Sequence, residues 1–213
     1  MEDFSEETEA EKYYSREEMQ KFREYVKSLP KSTYTLGILL HSYIVARIGE
    51  TRALTWDDFN AQTGELTIWH EIIQERQGEK ARVDKDVPHT KSCKGQGRRT
   101  IALPDEAINV IEELRKINGD KKYMLNGCRN AKFSIPANKI NEHIKSYCEA
   151  CGIIYRSSHK FRFYGISSLY DAGVAEEKIQ YTAGHTDRKM TQHYDKSRNI
   201  RKKVSKEDMK ALL

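Results

Sequence analysis

A histidine and an arginine with helical spacing form the first candidate site of this chain. His159 and Arg162 are three residues apart, so they share one face of a helix. The guanidinium of an arginine offers a planar fork of donors to a phosphate, and a histidine can hold or transfer a proton near neutral pH. The pair alone is weak evidence, because the same spacing is common on solvated helix faces.

Four further residues extend the candidate site. His185 follows Gly184, and Tyr194 comes nine residues after His185. A tyrosine can act as a nucleophile only where positive charge stabilises its oxyanion, because its ordinary pKa is about 10. Arg47 is a second arginine that could supply this charge, and Glu50 lies one helical turn away and could orient it.

These residues lie in segments that together resemble the tyrosine recombinases, also called the phage integrase family. The segments occur in the order typical of the family: RIGE and LTWDD at 47–50 and 54–58, TK and GRRTIALP at 90–91 and 97–104, HKFR at 159–162, IQYTAGH at 179–185 and QHY at 192–194. The resemblance runs from about Tyr14 to Ser197. Two departures, Ala46 in place of a common glycine and Ala183 in place of a common leucine, remove no functional group.

The resemblance implies site-specific cleavage and rejoining of DNA strands without a cofactor or a metal ion. Tyr194 would attack the scissile phosphate and form a 3′-phosphotyrosine bond with a free 5′-hydroxyl. Arg47 and Arg162 would hold the non-bridging oxygens as charge builds in the transition state.

The resemblance also assigns roles to the remaining residues. Lys91 would give a proton to the leaving 5′-oxygen, and Lys94 is the alternative for this role. His159 would take the proton of the tyrosine or tune its position, and His185 would bond a phosphate oxygen. Glu50 remains a supporting residue that orients Arg47.

The elements that must position these residues are mainly helices. Caps and apolar periodicity predict an α+β fold, mainly α, with a small antiparallel sheet, as the tyrosine recombinase catalytic domain has. Helices are predicted at about 16–29, 33–45, 47–56, 104–119, 136–151, 158–173 and 175–182, with one leading into residue 194 and one from about 205; strands are predicted at 66–69, 72–73 and 99–103. The polar stretch 76–99 holds eight bases and three acids and is predicted to be a long connection.

The charge of the chain is unevenly distributed. The 213 residues carry a net charge of +5, but residues 1–18 hold eight acids and two bases, so the remainder carries +11. A basic body favours a polyanionic partner, and double-stranded DNA is expected before a membrane. No signal peptide or apolar stretch long enough to span a bilayer is visible, which predicts a protein of the bacterial cytoplasm.

The predicted organisation has three parts: an acidic, disordered leader at 1–13, the catalytic domain at 14–197 and a tail at 198–213. The resemblance implies that the tail packs on a neighbouring protomer and that the protein forms a homo-oligomer on DNA, a tetramer in the synapse. It also implies helical DNA-binding domains before the catalytic one, so this chain is expected to be part of a longer protein.

Other functions and sites stay open at this point. A recombinase that resolves chromosome dimers, a non-catalytic DNA-binding relative and a type IB topoisomerase are alternatives to an integrase of a phage or a conjugative transposon. Cys148 and Cys151 form a CxxC that could begin a zinc site or a redox pair, but reduced thiols near a helix end are the simpler interpretation. His41 and His70 are expected to be structural.

Overall fold

The computed structural model of the chain describes residues 13–77, 81–89, 97–127 and 134–185. The helices in these residues are α1 Arg16–Ser28, α2 Thr33–Tyr43, α3 Ile48–Ala53, α4 Asp105–Asn118, α5 Ala137–Ala150, α6 His159–Asp171 and α7 Glu176–Ala183. The strands are β1 Phe59–Asn60, β2 Glu65–Ile68, β3 His70–Gln77, β4 Ala81–Pro88 and β5 Arg99–Ala102. The predicted fold class, mainly α with small antiparallel sheets, is therefore confirmed.

The first helix, α1, forms because its sequence contains a capping box and apolar residues at helical spacing. The hydroxyl of Ser15 accepts from the backbone N–H of Glu18 at 3.1 Å, and the Glu18 carboxylate accepts from the backbone N–H of Ser15 at 2.8 Å. This capping box satisfies donors that the first turn leaves free. Met19, Phe22 and Val26 then recur at helical spacing and are buried. α1 thus contributes one apolar stripe to the main core.

The second helix is the centre of the fold. α2 is buried on nearly all sides and packs against α1, α4, α5 and α6. It ends at Tyr43, two residues before the predicted end, because Ile44 already has extended backbone angles. This extended turn carries the chain out of the core and places Arg47 at the start of α3.

The strands form two separate antiparallel units. β1, β2 and β5 make a three-stranded sheet in the order β1-β2-β5, in which Leu66 pairs with Ile101 and both are buried. β3 and β4 make a hairpin, with Ile73 opposite Lys85. The prediction of a long connection at 76–99 was wrong for 81–88, which form β4. The apolar alternation that marks a half-buried strand is weak there, because much of the hairpin faces solvent.

The helices of the second half agree with their predicted bounds within about two residues. Gly152 and Gly184 follow α5 and α7 with φ angles of 66° and 64°, the left-handed conformation that ends helices. The predicted helices near residue 194 and after residue 205 lie outside the described residues, as do the tail and almost all of the leader. The three-part organisation of the chain therefore stays a prediction.

The two cysteines of the CxxC are buried at the end of α5 and are free thiols. Burial raises the pKa of Cys148 to about 11, so its thiol is protonated at neutral pH. Disulfide exchange requires a thiolate. The simpler interpretation, a pair of structural thiols, therefore fits the surroundings better than a redox pair. In the part of the chain that the structure describes, no helix is both long and apolar enough to cross a membrane.

Candidate active site

Five of the seven predicted site residues converge, and two lie outside the described residues. Arg47 caps the N-terminus of α3 and Glu50 lies within it, while His159 and Arg162 belong to α6 and His185 follows α7. The predicted proton donor Lys91 and the predicted nucleophile Tyr194 fall outside the described ranges, as does the alternative proton donor, Lys94. The site is therefore built here from its arginines, histidines and one carboxylate.

Arg47 is held at the mouth of the site by Glu50. The backbone N–H of Arg47 donates to Glu50 Oε2 at 2.7 Å, and its Nη1 donates to Glu50 Oε1 at 3.3 Å. The predicted contact between the two side chains is thus present. The Arg47 side chain is 24% exposed, whereas that of Glu50 is 0% exposed. The backbone of Arg47 is therefore fixed from within, while its guanidinium can reach a solvent-borne anion.

The carboxylate of Glu50 is surrounded by three guanidinium groups. Arg99 donates to both of its oxygens at 2.8 and 3.0 Å, and Arg162 Nη1 is 4.0 Å from Oε2. Burial by itself would raise the pKa of Glu50, but the hydrogen bonds and charge of Arg99, with those of Arg47 and Arg162, lower it to about 2. Glu71 also interacts electrostatically with Arg47 and Arg99. Two carboxylates therefore face three guanidinium groups, and the remaining positive charge favours binding of an anion.

Arg162 joins three parts of the fold that are distant in sequence. Its side chain is 1% exposed and donates to the backbone carbonyls of Val45 and Ala183. Val45 lies in the turn before α3, and Ala183 is the last residue of α7. These contacts bring Arg162 and Arg47 to one site and fix α6 against both neighbouring elements.

The Gly-His pair ends α7 in a way that only glycine allows. Gly184 has a positive φ, and a Cβ at this position would lie 2.9 Å from Arg99 Nη1 and 3.1 Å from Arg99 Cζ. A side chain here would therefore be strained and would displace a buried arginine. The turn delivers His185, which is 7% exposed, to the arginine cluster. Burial, followed by the charges of Arg162 and Arg47, lowers the pKa of His185 to about 4.

His159 is the first residue of α6 and is more exposed than the other site residues. Its ring lies edge-on to Phe163, with the ring centroids 5.0 Å apart. Desolvation, followed by the charges of Arg162 and Arg47, lowers the pKa of His159. A neutral imidazole at pH 7 can accept a proton, so both histidines are in the form that general-base or neutral hydrogen-bond chemistry requires.

Sequence reasoning missed Arg99 as a member of the site. It lay in a predicted strand, and its side chain is 2% exposed and donates from Nε to the carbonyl of Thr182 at 2.9 Å. The alternation of side chains along the strand could have predicted its burial, because Arg99 shares a sheet face with Ile101, which is buried. A charged residue at a core-facing strand position implies a buried partner, and that partner is Glu50.

The two histidines that were expected to be structural have structural surroundings. His41 is buried, contacts Thr51 Oγ1 at 2.8 Å and the carbonyl of Ser158 at 3.2 Å, and burial lowers its pKa to about 4. It ties α2 to α3 and to the start of α6. His70 lies between Asp58 and Asp86 at the base of the β3–β4 hairpin.

Comparison with known proteins gives one family. The sequence model described as the phage integrase family matches residues 12–200. No curated protein is significantly similar to the chain in sequence.

Several solved structures share the fold. The chain is similar to a Tn1549 transposon integrase in complex with transposon right end DNA, with a TM-score of 0.71 and 15% identity over 94% of this chain and 67% of that one. It is similar to XerA recombinase, with a TM-score of 0.65 and 18% identity over 94% and 63% of the two chains. A lambda integrase dimer bound to a core site gives a TM-score of 0.59 and 17% identity over 87% and 59%. The chain thus spans about two thirds or less of these proteins.

Proposed function

The chain belongs to the phage integrase family, and on that premise we propose that it is the catalytic part of a site-specific recombinase that cuts and rejoins DNA strands. The observation that carries the proposal is the cluster of Arg47, Arg99 and Arg162 around a carboxylate that they outnumber in charge, with the neutral His185 beside them. A half-open site with surplus positive charge suits a phosphodiester, whose transition state gains negative charge on its non-bridging oxygens.

Tyr194 acts as the nucleophile in the proposed reaction. Its phenolate oxygen attacks the scissile phosphorus, a phosphotyrosine bond forms to the 3′ side, and the bond to the 5′-oxygen breaks. Because the phosphodiester is exchanged and not hydrolysed, a different 5′-hydroxyl can reverse the step and join new strands. Arg47 and Arg162 stabilise the charge that builds on the phosphate during both steps.

The other site residues move or direct protons. His159 is neutral and exposed at the edge of the site, which suits it to take the phenolic proton. His185 is neutral and buried among cations, which suits it to donate a hydrogen bond to a phosphate oxygen. Lys91 protonates the leaving 5′-oxygen, with Lys94 as the alternative. No cofactor or metal ion has a role in this scheme.

Double-stranded DNA with attachment or core sites is the proposed partner. The net charge of +11 on residues 19–213 supports it, because neutralised phosphates supply much of the affinity for DNA. The Tn1549 and lambda integrase structures are themselves DNA complexes. We further propose that the protein acts in the bacterial cytoplasm as a homo-oligomer, a tetramer in the synapse.

An integrase of a transposon or phage is favoured over a non-catalytic relative. Arg47, His159, Arg162 and His185 are all present and converge, whereas a protein that only binds DNA has no need of neutral histidines beside buried arginines. The similarity to XerA keeps a cellular recombinase as the second candidate, since it has the same fold and differs in its target sequence.

Replacement of Tyr194 by phenylalanine tests the proposal. The test uses a suicide substrate nicked beside the cleavage point, and a denaturing gel detects the covalent complex. The wild-type chain should form a slowly migrating band, and Tyr194→Phe should form none while it binds the same DNA with nearly unchanged affinity. Tyr181→Phe is the matched control, because Tyr181 is 55% exposed near the site and should not be required. A covalent band from Tyr194→Phe, or none from the wild type, would contradict the proposal.

A further inference from the structure

His89 lies next to the candidate site and has a buried side chain. Sequence analysis did not single out this histidine. It follows the last residue of β4, and its backbone N–H donates to the carbonyl of Trp69 at 2.7 Å. Its side chain is 1% exposed, and neither ring nitrogen has a hydrogen-bond partner among the described residues. A buried polar group without a partner costs free energy, so an imidazole in this place requires an explanation.

The ring of His89 faces the carboxylate oxygen that also holds Arg47. His89 Nε2 is 3.8 Å from Glu50 Oε1, just beyond hydrogen-bond distance. This oxygen already accepts from Arg99 Nη1 at 3.0 Å and from Arg47 Nη1 at 3.3 Å. A carboxylate oxygen has two lone-pair directions, and these two donors occupy both. The bond from Arg47 is the longer of the two, so it is the one that can be exchanged most readily.

We propose that His89 is a positioning residue, which replaces Arg47 as the donor to Glu50 Oε1 when Arg47 turns to the DNA phosphate. The proposal rests on the proposed function, which supplies the phosphate. Arg47 is partly exposed and free to turn, whereas Arg99 is buried and bonded to both Glu50 oxygens. A shift of roughly 0.7 Å brings His89 Nε2 into hydrogen-bond range.

The exchange keeps the buried carboxylate satisfied throughout the reaction. Without a second donor, Arg47 would have to leave one lone pair of Glu50 empty as it turns to the charge that builds on the phosphate, which would weaken its stabilisation of the transition state. Burial lowers the pKa of His89, so its ring is neutral at pH 7. A neutral imidazole donates from one nitrogen only, and the proposal requires that this nitrogen be Nε2.

Three replacements of His89 separate hydrogen bonding from packing. Glutamine can place an amide nitrogen near the position of Nε2, asparagine reaches only the position of Nδ1, and leucine fills similar volume without a donor. The measurement is the single-turnover rate of covalent complex formation on the nicked suicide substrate at saturating protein. DNA affinity is measured separately, with each change combined with Tyr194→Phe.

We expect a pattern that packing alone would not give. His89→Leu and His89→Asn should cleave about three- to tenfold more slowly than the wild type, which corresponds to the loss of one neutral hydrogen bond. His89→Gln should stay within about twofold of the wild-type rate, and DNA affinity should change little in all three. A leucine variant that cleaves as fast as the wild type, or faster than the glutamine variant, would overturn the proposal.

A second comparison decides the case if the leucine variant does not fold. Glutamine and asparagine are both polar, so equal rates for these two variants would also overturn the proposal. In an Arg47→Ala background, loss of the His89 donor should bring little further slowing, because no arginine is left to release. A wild-type chain that forms no covalent complex would overturn the proposed function itself, whereas the rate pattern among the His89 variants tests only the role of this residue.

Discussion

Two buried charge clusters in this molecule have opposite compositions. The Glu50 cluster, formed by Glu50, Arg47, Arg99 and Arg162, has one carboxylate among three cations. The His70 cluster at the base of the β3–β4 hairpin, defined in the next paragraph, has one imidazole between two carboxylates. The two clusters show how the same fold treats buried charge at a functional and at a structural position.

The His70 cluster consists of His70, Asp58 and Asp86, with Tyr123 and Trp69 as further donors. His70 Nδ1 is 2.7 Å from Asp86 Oδ1 and its Nε2 is 3.3 Å from Asp58 Oδ2. Tyr123 donates to Asp86 at 2.7 Å, and the indole N–H of Trp69 donates to Asp58 at 2.6 Å. Burial alone would lower the pKa of His70, but the two carboxylates outweigh it and raise the pKa. All these bonds are internal, so the cluster holds strands together.

The difference between the clusters lies in the sign of their surplus charge. Asp58 in the His70 cluster also accepts from the backbone N–H of Thr55 at 2.8 Å. Asp86 is 21% exposed, and Lys122 Nζ lies 3.6 Å from it. The Glu50 cluster has surplus positive charge and reaches solvent through Arg47, whose side chain is 24% exposed. A partly exposed arginine attracts an anion and a partly exposed carboxylate repels one, so the sign of the surplus charge distinguishes the candidate active site from the structural network.

Removal of the single carboxylate should have the largest effect. Glu50→Gln leaves Arg99 and Arg162 buried without their counter-charge, and we expect a loss of about 3–5 kcal/mol in the free energy of unfolding. Urea unfolding measures it. Glu71→Gln is the matched control. Burial, followed by the charge of Glu50, raises the pKa of Glu71, so folding disfavours its ionised form and the loss of its charge should cost no stability. The control should unfold like the wild type. An equal loss in the free energy of unfolding in both variants would contradict the claim that Glu50 is the carboxylate that neutralises the buried arginines.

The shape of the Arg99 guanidinium should matter next. Arg99→Lys keeps the charge but cannot donate to both Glu50 oxygens and to the Thr182 carbonyl, so we expect a loss of about 2 kcal/mol in stability and slower cleavage. Arg98→Lys is the neighbouring control, since Arg98 is exposed. Thermal unfolding and single-turnover cleavage of both variants provide the comparison. An Arg98 variant as impaired as the Arg99 variant would mean that any change at the start of β5, and not the loss of the bonds within the cluster, is responsible.

Two buried histidines should respond to pH in opposite directions. The pKa of His41 falls to about 4 on folding, so its contribution to stability is present above pH 6.5 and is lost as pH falls towards 4. The pKa of His70 is raised, so its contribution is present below pH 6.5 and is lost as pH rises through the folded value.

The matched variants His41→Asn and His70→Asn measure this contrast. The free energy of unfolding is determined from pH 5 to pH 9 and compared with the wild type at each pH. His41→Asn should be most destabilising at high pH, and His70→Asn should be most destabilising at low pH, each by about 1–3 kcal/mol at its maximum. Parallel pH profiles for the two variants would show that the two histidines do not differ in the charge state that folding favours.

An exposed ion pair on the hairpin should have the smallest effect. Lys85 and Glu75 are 3.1 Å apart, and their side chains are 54% and 56% exposed. Lys85→Ala should change the free energy of unfolding by less than about 0.5 kcal/mol, because solvent screens such pairs. Urea unfolding at low and at high salt checks this. A loss of stability comparable to that of the Glu50 variant would show that burial does not determine how much these ion pairs contribute to stability.

The sequence by itself determined the features that depend on neighbouring residues. Capping residues, apolar periodicity and terminal glycines predicted the described helices within about two residues, except for α3, which ends three residues before its predicted end, because these signals act within one or two turns. The resemblance between short segments and a known family also predicted Arg47, Glu50, His159, Arg162 and His185 as site residues before any geometry was available.

Only the tertiary structure decided what depends on packing between distant segments. The burial of Glu50 among three guanidiniums, the part of Arg99 and the unpartnered ring of His89 follow from contacts between α3, α6, β4 and β5. Strand β4 was missed because its residues lack the apolar alternation that reveals a half-buried strand. Whether a charged side chain faces a partner, a phosphate or solvent is an electrostatic question, and its answer requires distances that no local pattern encodes.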